Sequence, residues 1–366
     1  MSCGRTCRRS EAGADSALAA DSQSRYFPPV LRRAVLPLVT AALVCGCTPG
    51  SFVAHQLIRA PNTFPQIVAP EPRVYYTFPD TVLDTIPLQL ATVGSPPVTL
   101  AYRILPPADY ALEAVITNHP SSSGPRPFYR FRATVPGAPT PYTDHPRGTA
   151  VLLHGYGLNQ DSMIPWALAL GEAGWRCILV DLRGHGDSGG DRIYFGIREP
   201  ADLSALLEEL ERRHQASWPV DVVDVSYGAA VALKWKLDEP RVRTTVAISP
   251  YARLGDAIEG LRQDYAAWLP AWLLRGASQR MPALVGAGDQ GLDPVDWMSR
   301  HPEVILLVAG GDDDVAPPSA VRDILRAAAP GSSVVEVDGV SHEILPFRFD
   351  ALRKPVTDHL TNGASH

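Results

Sequence analysis

VDVVDVSYGAAVAL, residues 220–233, joins a short apolar run to a small-residue helix pattern through a single serine. The run 220–225 is mostly valine, which is typical of a strand that is buried on both faces of a parallel sheet. The alanines after Ser226 favour a helix, and the pattern predicts one over 227–237. Ser226 therefore lies at a strand-to-helix junction, where a sharp turn lifts a hydroxyl above the sheet and into the field of the helix N-terminus.

The same junction departs from the usual nucleophile pattern in one position. Acyl-transfer enzymes place their serine in G-x-S-x-G, where small residues let strand and helix approach each other. Gly228 satisfies the second glycine, but Asp224 stands at the first. Two outcomes remain open from the sequence: a slightly opened turn tolerates Asp224, or Asp224 weakens or abolishes activity.

Strand patterns and helix patterns alternate along most of the chain, which predicts βαβ units and a mostly parallel sheet. Two early strands, 98–104 and 128–135, are predicted to form the antiparallel start of this sheet. The later strand predictions are 149–153, 176–180, 220–225, 242–248, 304–308 and 333–337. The helix predictions that accompany them are 161–173, 199–214, 227–237, 319–328 and 346–359.

Residues 251–300 interrupt this alternation with an amphipathic, aromatic-rich stretch that includes Trp268 and Trp272. Ligands of open α/β sheets bind at the carboxyl ends of the strands. We therefore expect residues 251–300 to form a helical cap inserted over that edge. For any single one of these aromatic residues, packing into the core is an equally good interpretation.

Five motifs in a fixed order resemble the α/β-hydrolase superfamily, nearest its serine-aminopeptidase-like and lysophospholipase-like branch. They are HGYG (154–157), DLRGHGDSGG (181–190), VSYGAA (225–230), GGDDDVAPP (310–318) and DGVSHE (338–343). The resemblance covers about residues 98–360 and implies an α/β-hydrolase fold, with a mostly parallel central sheet flanked by helices. We assign residues 96–361 to this domain, with the cap insertion at about 251–300.

The resemblance implies a catalytic triad of Ser226, Asp313 and His342. A histidine suits the base because imidazole titrates near neutral pH. The spacing G-x-x-D-x-x-x-P of the family selects Asp313 between Gly310 and Pro317, with Asp312 and Asp314 as one-residue alternatives. Such an acid orients the histidine and stabilises its protonated form.

The resemblance also implies an oxyanion hole, formed by the backbone N–H groups of Tyr156 and Tyr227. The charged loop 181–190 is better explained as a glycine-rich turn in which Asp187 and Ser188 bond nearby backbone. No metal-binding spacing and no nucleotide-binding motif occurs in the sequence, so we expect neither a metal nor a cofactor.

Residues 32–47, RRAVLPLVTAALVCGC, are typical of an export signal. Two arginines precede an apolar stretch that is too short to span a bilayer. Val44 to Cys47 resembles the lipobox of bacterial lipoproteins, which implies cleavage before Cys47, acylation of that cysteine and attachment to a membrane. Thr48, where inner-membrane retention usually requires Asp, favours the outer membrane facing the periplasm. A plain signal peptide or an uncleaved anchor is the alternative.

Removal of residues 1–46, which carry six arginines and three acidic residues, changes the formal net charge from −6 to −9. An acidic chain without a basic stripe argues against a nucleic-acid partner and against charge-driven binding to an anionic membrane surface. The proline-rich composition of residues 47–95 predicts a tether and an irregular segment.

Three functions follow from these features. The first is hydrolysis of carboxylic esters, including lysophospholipids, thioesters or other lipid-like small molecules. The second is peptide or amide hydrolysis on the same triad, ranked lower because no acidic residue is identifiable as a binder of a substrate α-amine. The third is a non-catalytic lipoprotein scaffold, which Asp224 supports and the joint presence of Ser226, Asp313 and His342 opposes.

Overall fold

The structure is a computed structural model that describes residues 48–63, 74–121, 124–135 and 145–363. Its strands are β1 (Tyr75–Thr77), β2 (Gln89–Val93), β3 (Val98–Leu105), β4 (Glu113–His119), β5 (Arg126–Arg132), β6 (Thr149–Leu153), β7 (Arg176–Val180), β8 (Val220–Val225), β9 (Val242–Ile248), β10 (Ile305–Gly310) and β11 (Ser333–Val337). The residues of the predicted export signal, including Cys47, lie outside the described residues.

The helices lie mostly between these strands. They are α1 (Pro49–Leu57), α2 (Asp80–Thr85), α3 (Ile164–Glu172), α4 (Glu199–Arg212), α5 (Tyr227–Asp238), α6 (Leu254–Tyr265), α7 (Ala271–Ser278), α8 (Met281–Val285), α9 (Pro294–Arg300), α10 (Pro318–Ala327) and α11 (Phe349–Asn362). Within the described ranges, every helix is too short or too polar to cross a bilayer.

Eight strands form the central sheet in the order β11-β10-β9-β8-β6-β7-β3-β2. The six strands from β11 to β7 are parallel, while β3 pairs antiparallel with both β7 and β2. All residues of β6 and β8 are buried, because helices cover both faces of the sheet. The predicted mostly parallel sheet flanked by helices is confirmed.

Two of the three apolar cores in the described part of the chain lie on opposite faces of this sheet. Trp235 of α5 and the leucines of α4 pack on Val222 of β8, while Trp166 of α3 and Leu352 of α11 belong to the core with Val223. Burial of each such large side chain contributes about 1.5–3 kcal/mol. Because the sheet is held from both faces, the loops at its carboxyl edge rest on a rigid base.

The predicted pairing of the first two strands is wrong. Strand β3 pairs with β2 and β7 in the central sheet, whereas β5 pairs with β1 and β4 in a separate three-stranded sheet. The reason is packing: Tyr129 and Phe131 on β5 turn to Phe347 and Phe349, ahead of and within α11. A cavity of about 280 Å³ lies between this small sheet and α11, away from Ser226.

The prediction of an irregular tether over residues 47–95 also needs correction. Thr48 caps helix α1, its side-chain oxygen accepting from the Ser51 N–H at 3.3 Å, and Pro49 occupies the first turn. Helix α1 packs against α7 of the cap: a Cβ on Gly50 would lie 3.0 Å from the carbonyl carbon of Gly276. Packing, rather than composition, decides the conformation here.

Candidate active site

Ser226 occupies a strained turn between β8 and α5. Its backbone has φ +54° and ψ −111°, a conformation that non-glycine residues rarely adopt. The turn is held by the Ser226 N–H, which donates to the Ile248 carbonyl at 2.9 Å, and by the Ser226 carbonyl, which accepts from Ala230 at 3.1 Å. A Cβ on Gly228 would lie 2.7 Å from the carbonyl oxygens of Leu153 and His154, so the helix packs as closely as the elbow pattern requires.

The structure brings the three predicted triad residues together. His342, in the loop after β11, places Nε2 2.8 Å from Ser226 Oγ. Its Nδ1 lies 2.8 Å from Oδ2 and 3.0 Å from Oδ1 of Asp313, in the loop after β10. Asp313, rather than its neighbours Asp312 and Asp314, therefore faces the histidine.

Asp313 is held as an acceptor by several donors. The N–H groups of Val315 and Ala316 donate to Oδ1 at 2.9 and 2.7 Å, and Ser249 Oγ donates to Oδ2 at 2.5 Å. Burial opposes ionisation, but the bonds to His342 and to these donors lower the pKa of Asp313 below its ordinary value. Asp313 therefore stays ionised and fixes the proton of His342 on Nδ1.

Ser249 was not predicted from the sequence. It follows β9, the strand beside β8, and its φ of +53° turns the side chain to Asp313. Its place directly after a predicted strand was the available signal. A serine in that position is too common to single out without the tertiary contact.

The two predicted oxyanion donors lie on either side of Ser226. Tyr227 begins helix α5, so its N–H is one of the groups that have no acceptor within the helix. Tyr156 lies in the loop after β6, where a Cβ on the preceding Gly155 would be 3.7 Å from the Ser226 Cβ. Both backbones are thus close to Ser226, and the role of their N–H groups as oxyanion donors stays a prediction.

The buried carboxylate of Glu199 anchors the Tyr227 side chain. Its Oε1 accepts from the Tyr227 hydroxyl at 3.0 Å and from the Tyr194 N–H at 2.6 Å, and its Oε2 accepts from the Gly196 N–H at 2.9 Å. The carboxylate therefore ties the loop before α4 to the residue that carries the second oxyanion donor. Glu199 was not predicted from the sequence, because a glutamate in the first turn of a helix is usually explained by its favourable interaction with the helix dipole.

The charged loop after β7 is structural. Ser188 Oγ donates to the Asp181 carbonyl at 2.6 Å and accepts from the Ala101 N–H at 2.9 Å. Arg183 forms a buried bidentate pair with Asp202, at 2.7 and 2.6 Å. The side chain of Ser188 therefore bonds nearby backbone, as the sequence predicts for this turn. In the case of Asp187 it is the backbone N–H that bonds, donating to the Asp181 carboxylate at 2.9 Å.

Asp224 is fully buried in β8, opposite Leu153 of β6 and Ala247 of β9, and neither side-chain oxygen has a hydrogen-bond partner. Burial raises the pKa of Asp224 well above its ordinary value and therefore favours the neutral, protonated carboxylic acid. A neutral acid adds no negative charge beside the nucleophile, and the turn at Ser226 forms in its presence.

The cap contacts the loops that carry the acid and the base. A Cβ on Gly260 of α6 would lie 2.2 Å from the Asp314 carbonyl oxygen, so the helix rests directly on the acid loop. At the end of α6, the Tyr265 hydroxyl donates to Glu343, the residue after the catalytic-loop histidine. Residues 251–300 form four short helices here, α6 to α9.

The strand order, the sharp turn after β8 and the loops after β10 and β11 define an α/β-hydrolase fold, and comparisons with known proteins agree. Residues 144–308 match the family model described as serine aminopeptidase, S33. An uncharacterised protein of Mycobacterium tuberculosis, Rv2307c, is 28% identical over 234 residues, which cover 61% of this chain and 75% of the relative.

Solved structures show the same fold at low identity. The chain superposes on the esterase Pf2001 of Pyrococcus furiosus with a TM-score of 0.55 and 18% identity, covering 76% of this chain and 92% of the esterase. A hydrolase from Pseudomonas aeruginosa gives a TM-score of 0.50 at 20% identity, over 75% of this chain and 98% of the hydrolase.

Proposed function

We propose that the protein is a serine hydrolase of carboxylic esters. The observation that carries this proposal is the continuous series of hydrogen bonds from Ser226 through His342 to Asp313, with the serine in a strained turn at the carboxyl edge of the sheet. The similarity to an esterase and to other hydrolases of this fold supports the same chemistry.

In the proposed acylation step, Ser226 Oγ attacks the ester carbonyl carbon while His342 Nε2 accepts the hydroxyl proton. The Tyr156 and Tyr227 N–H groups stabilise the negative charge that develops on the carbonyl oxygen. Asp313 keeps Nδ1 protonated, so that Nε2 is free to act as the base, and stabilises the imidazolium. When the carbon–oxygen bond to the alcohol breaks, His342 returns the proton to the leaving alcohol.

Deacylation repeats the sequence with water as the nucleophile. His342 takes a proton from water, the resulting oxygen attacks the acyl carbon, and the proton passes to Ser226 Oγ as the acid leaves. The neutral state of Asp224 is compatible with both steps, because an ionised carboxylate so close would oppose formation of the oxyanion.

A peptidase is the second candidate, because the matching family model is described as a serine aminopeptidase. Such an enzyme needs a carboxylate to bind the α-amine of its substrate. Glu343, next to His342 in the chain, bonds Tyr265 and Ser341. We therefore rank ester hydrolysis first, and a parallel assay on aminoacyl p-nitroanilides decides between the two.

The test compares the wild type, Ser226→Ala and the control Ser299→Ala, which removes an exposed hydroxyl on helix α9. We expect a fluorophosphonate probe to label the wild type and Ser299→Ala, and p-nitrophenyl butyrate to be hydrolysed by both. Ser226→Ala should lose labelling and at least about 10⁴-fold in kcat. A folded wild type that neither labels nor turns over would favour the non-catalytic scaffold.

For the location of the protein we propose a lipid anchor on Cys47, which places the enzyme in the bacterial cell envelope, at the outer membrane and facing the periplasm. The lipobox-like Val44 to Cys47 supports this proposal. Mass spectrometry of the N-terminal peptide should show an acylated Cys47, and Cys47→Ala should move the protein out of the membrane fraction. An unmodified N-terminus that begins elsewhere would contradict it.

A further inference from the structure

Three large apolar side chains of the cap are exposed. Trp272, in the first turn of α7, is 63% exposed; Trp268, just before that helix, is 49% exposed; and Leu261 of α6 is 37% exposed. Each exposed indole ring leaves a large apolar area in contact with water. We call Leu261, Trp268 and Trp272 the cap surface.

One residue of the cap surface, Trp272, lies close to the N-terminal helix. Gly276, one helical turn after Trp272 and on nearly the same face of α7, is the residue that contacts Gly50 of α1. One turn of a helix rises about 5.4 Å. Trp272 is therefore about one turn from the first residues of α1, and Arg280 Nη1 approaches the same glycine.

The chain enters α1 immediately after the proposed anchor. Thr48 is the cap of the helix and Cys47 is the residue before it. Fully extended chain covers at most about 3.6 Å per residue, so an acyl group on Cys47 would hold the start of α1, and the cap helix packed on it, at the membrane. No flexible spacer separates the proposed anchor from helix α1.

We propose that the cap surface docks onto the phospholipid bilayer, with Trp268 and Trp272 at the level of the headgroups. Tryptophan is favoured at this depth because its ring is apolar and its N–H is polar. The net charge of −9 after processing argues against attraction to anionic lipid as the driving force. Apolar contact with a largely zwitterionic surface, next to the anchor, is the chemistry that fits.

This orientation, which rests on the proposed hydrolase and on the proposed anchor, also narrows the substrate class. Helix α6 of the docked cap touches the Asp314 backbone and, through Tyr265, Glu343 in the His342 loop. An ester that leaves the bilayer at the cap surface would meet the catalytic loops without crossing bulk water. Esters with a long acyl chain that partition into membranes are therefore the substrates that benefit from docking.

The test uses the full chain as the cell processes it, mixed with phosphatidylcholine vesicles whose acyl chains are brominated and quench nearby tryptophan fluorescence. Of the seven tryptophans, Trp166, Trp175, Trp235 and Trp297 are buried. The third exposed one, Trp218, is 52% exposed and precedes β8, at the sheet edge opposite Ser226, so it is the matched control.

We expect quenching in the wild type and in Trp218→Phe, and its loss in the double variant Trp268→Phe/Trp272→Phe. Replacing the same two residues by serine should lower hydrolysis of a vesicle-borne long-chain p-nitrophenyl ester about tenfold and leave hydrolysis of soluble p-nitrophenyl butyrate unchanged. The soluble assay also shows that the variants fold.

Quenching that is absent from the wild type, or that disappears in Trp218→Phe instead, would overturn the docking proposal. So would an equal loss on the soluble and the vesicle-borne ester. Failure of the proposed hydrolase activity can be distinguished from failure of the docking proposal. In that case the wild type is inactive on the soluble ester, whatever the quenching experiment shows.

Discussion

Ser226 and His342 exchange a proton in the proposed reaction, and Asp313 decides which nitrogen of the histidine carries it. The donors to Asp313 occupy the sides of the carboxylate that His342 leaves free: two backbone N–H groups bind Oδ1 and the Ser249 hydroxyl binds Oδ2. An acid held in this way keeps its charge and its orientation through the catalytic cycle.

Asp313→Asn should lower kcat/KM for p-nitrophenyl butyrate by about 10⁴-fold, because an amide that donates to Nδ1 forces the wrong histidine tautomer. The melting temperature should fall only slightly, since the side-chain volume is kept. Asp314→Asn, at the exposed neighbouring position, is the control and should retain wild-type kinetics. Equal losses in the two variants would show that Asp313 is not the triad acid.

Tyr227→Phe should lower kcat about tenfold with little change in KM. The variant breaks the bond to Glu199 and loosens one oxyanion donor, whereas complete loss of such a donor costs about 10²–10³-fold. Tyr110→Phe controls for a general loss of stability, because it likewise removes a buried hydroxyl, one that donates to the Pro106 carbonyl. Affinity for a trifluoromethyl ketone inhibitor should fall in parallel with kcat. An unchanged kcat with a lowered melting temperature would make the Glu199 contact purely structural.

At the level of the elements, strand β8 contains two buried aspartates with opposite surroundings. Asp221 accepts from Arg243 at 2.8 and 2.5 Å and from the Trp175 indole at 3.1 Å. Asp224, three residues later, has no hydrogen-bond partner for either oxygen. Burial of an unpaired polar group costs about 1–3 kcal/mol by mutational measurements. The hydrogen bonds of Asp221 offset the cost of burying its carboxylate, whereas no hydrogen bond offsets that cost for Asp224.

Asp224→Val should therefore stabilise the protein, by about 1–3 kcal/mol, and the gain should grow with pH. The pKa of Asp224 is raised in the folded state, so above the ordinary aspartate range only the unfolded chain ionises readily, and wild-type stability falls as pH rises. Urea denaturation at about pH 4 and at about pH 8 measures the difference, the ordinary aspartate pKa being about 3.9.

Asp221→Val is the matched control on the same strand. It should destabilise the protein, because it removes the ion pair of the partly buried Arg243 and leaves that guanidinium with only the Leu360 carbonyl as an acceptor. Stabilisation by both variants, or a gain from Asp224→Val that is the same at both pH values, would mean that Asp224 is not held as a buried neutral acid.

Across the whole molecule, the two sheets differ in how they are covered. Strands β8, β9 and β10 lie inside the central sheet between helical layers, and β8 and β10 are buried throughout. Strand β4, at an edge of the small sheet, is mostly exposed. Segments with more buried apolar contact open locally less often. We therefore expect the central sheet, which carries the site, to resist local opening more than the small sheet does.

Hydrogen exchange followed by mass spectrometry should find this difference. Amides of β8 and β9 should exchange only on global unfolding, while amides of β4 should exchange by local opening and at least about 100-fold faster. The exposed part of α10 serves as a fast reference within the same spectra. Protection of β4 equal to that of β8 would show that the small sheet and the central sheet open together.

The sequence by itself determined the strands that are buried on both faces, the turn at Ser226 and the order of the motifs that supply Asp313 and His342. Local pattern suffices for the strands and the turn, because a run such as 220–225 favours one conformation, whereas Asp313 and His342 were implied by the resemblance of their motifs to the α/β-hydrolase superfamily. The α/β-hydrolase fold followed from the same features.

Only the tertiary structure decided the rest. It gave β3 and β5 to different sheets, made a helix of residues 49–57, and brought Ser249 and Glu199 to the site. Each of these depends on a partner far away in the chain: Phe347 for β5, Gly276 for α1, Asp313 for Ser249. Composition reports what a segment prefers alone, whereas burial against a distant surface contributes enough free energy to override that preference.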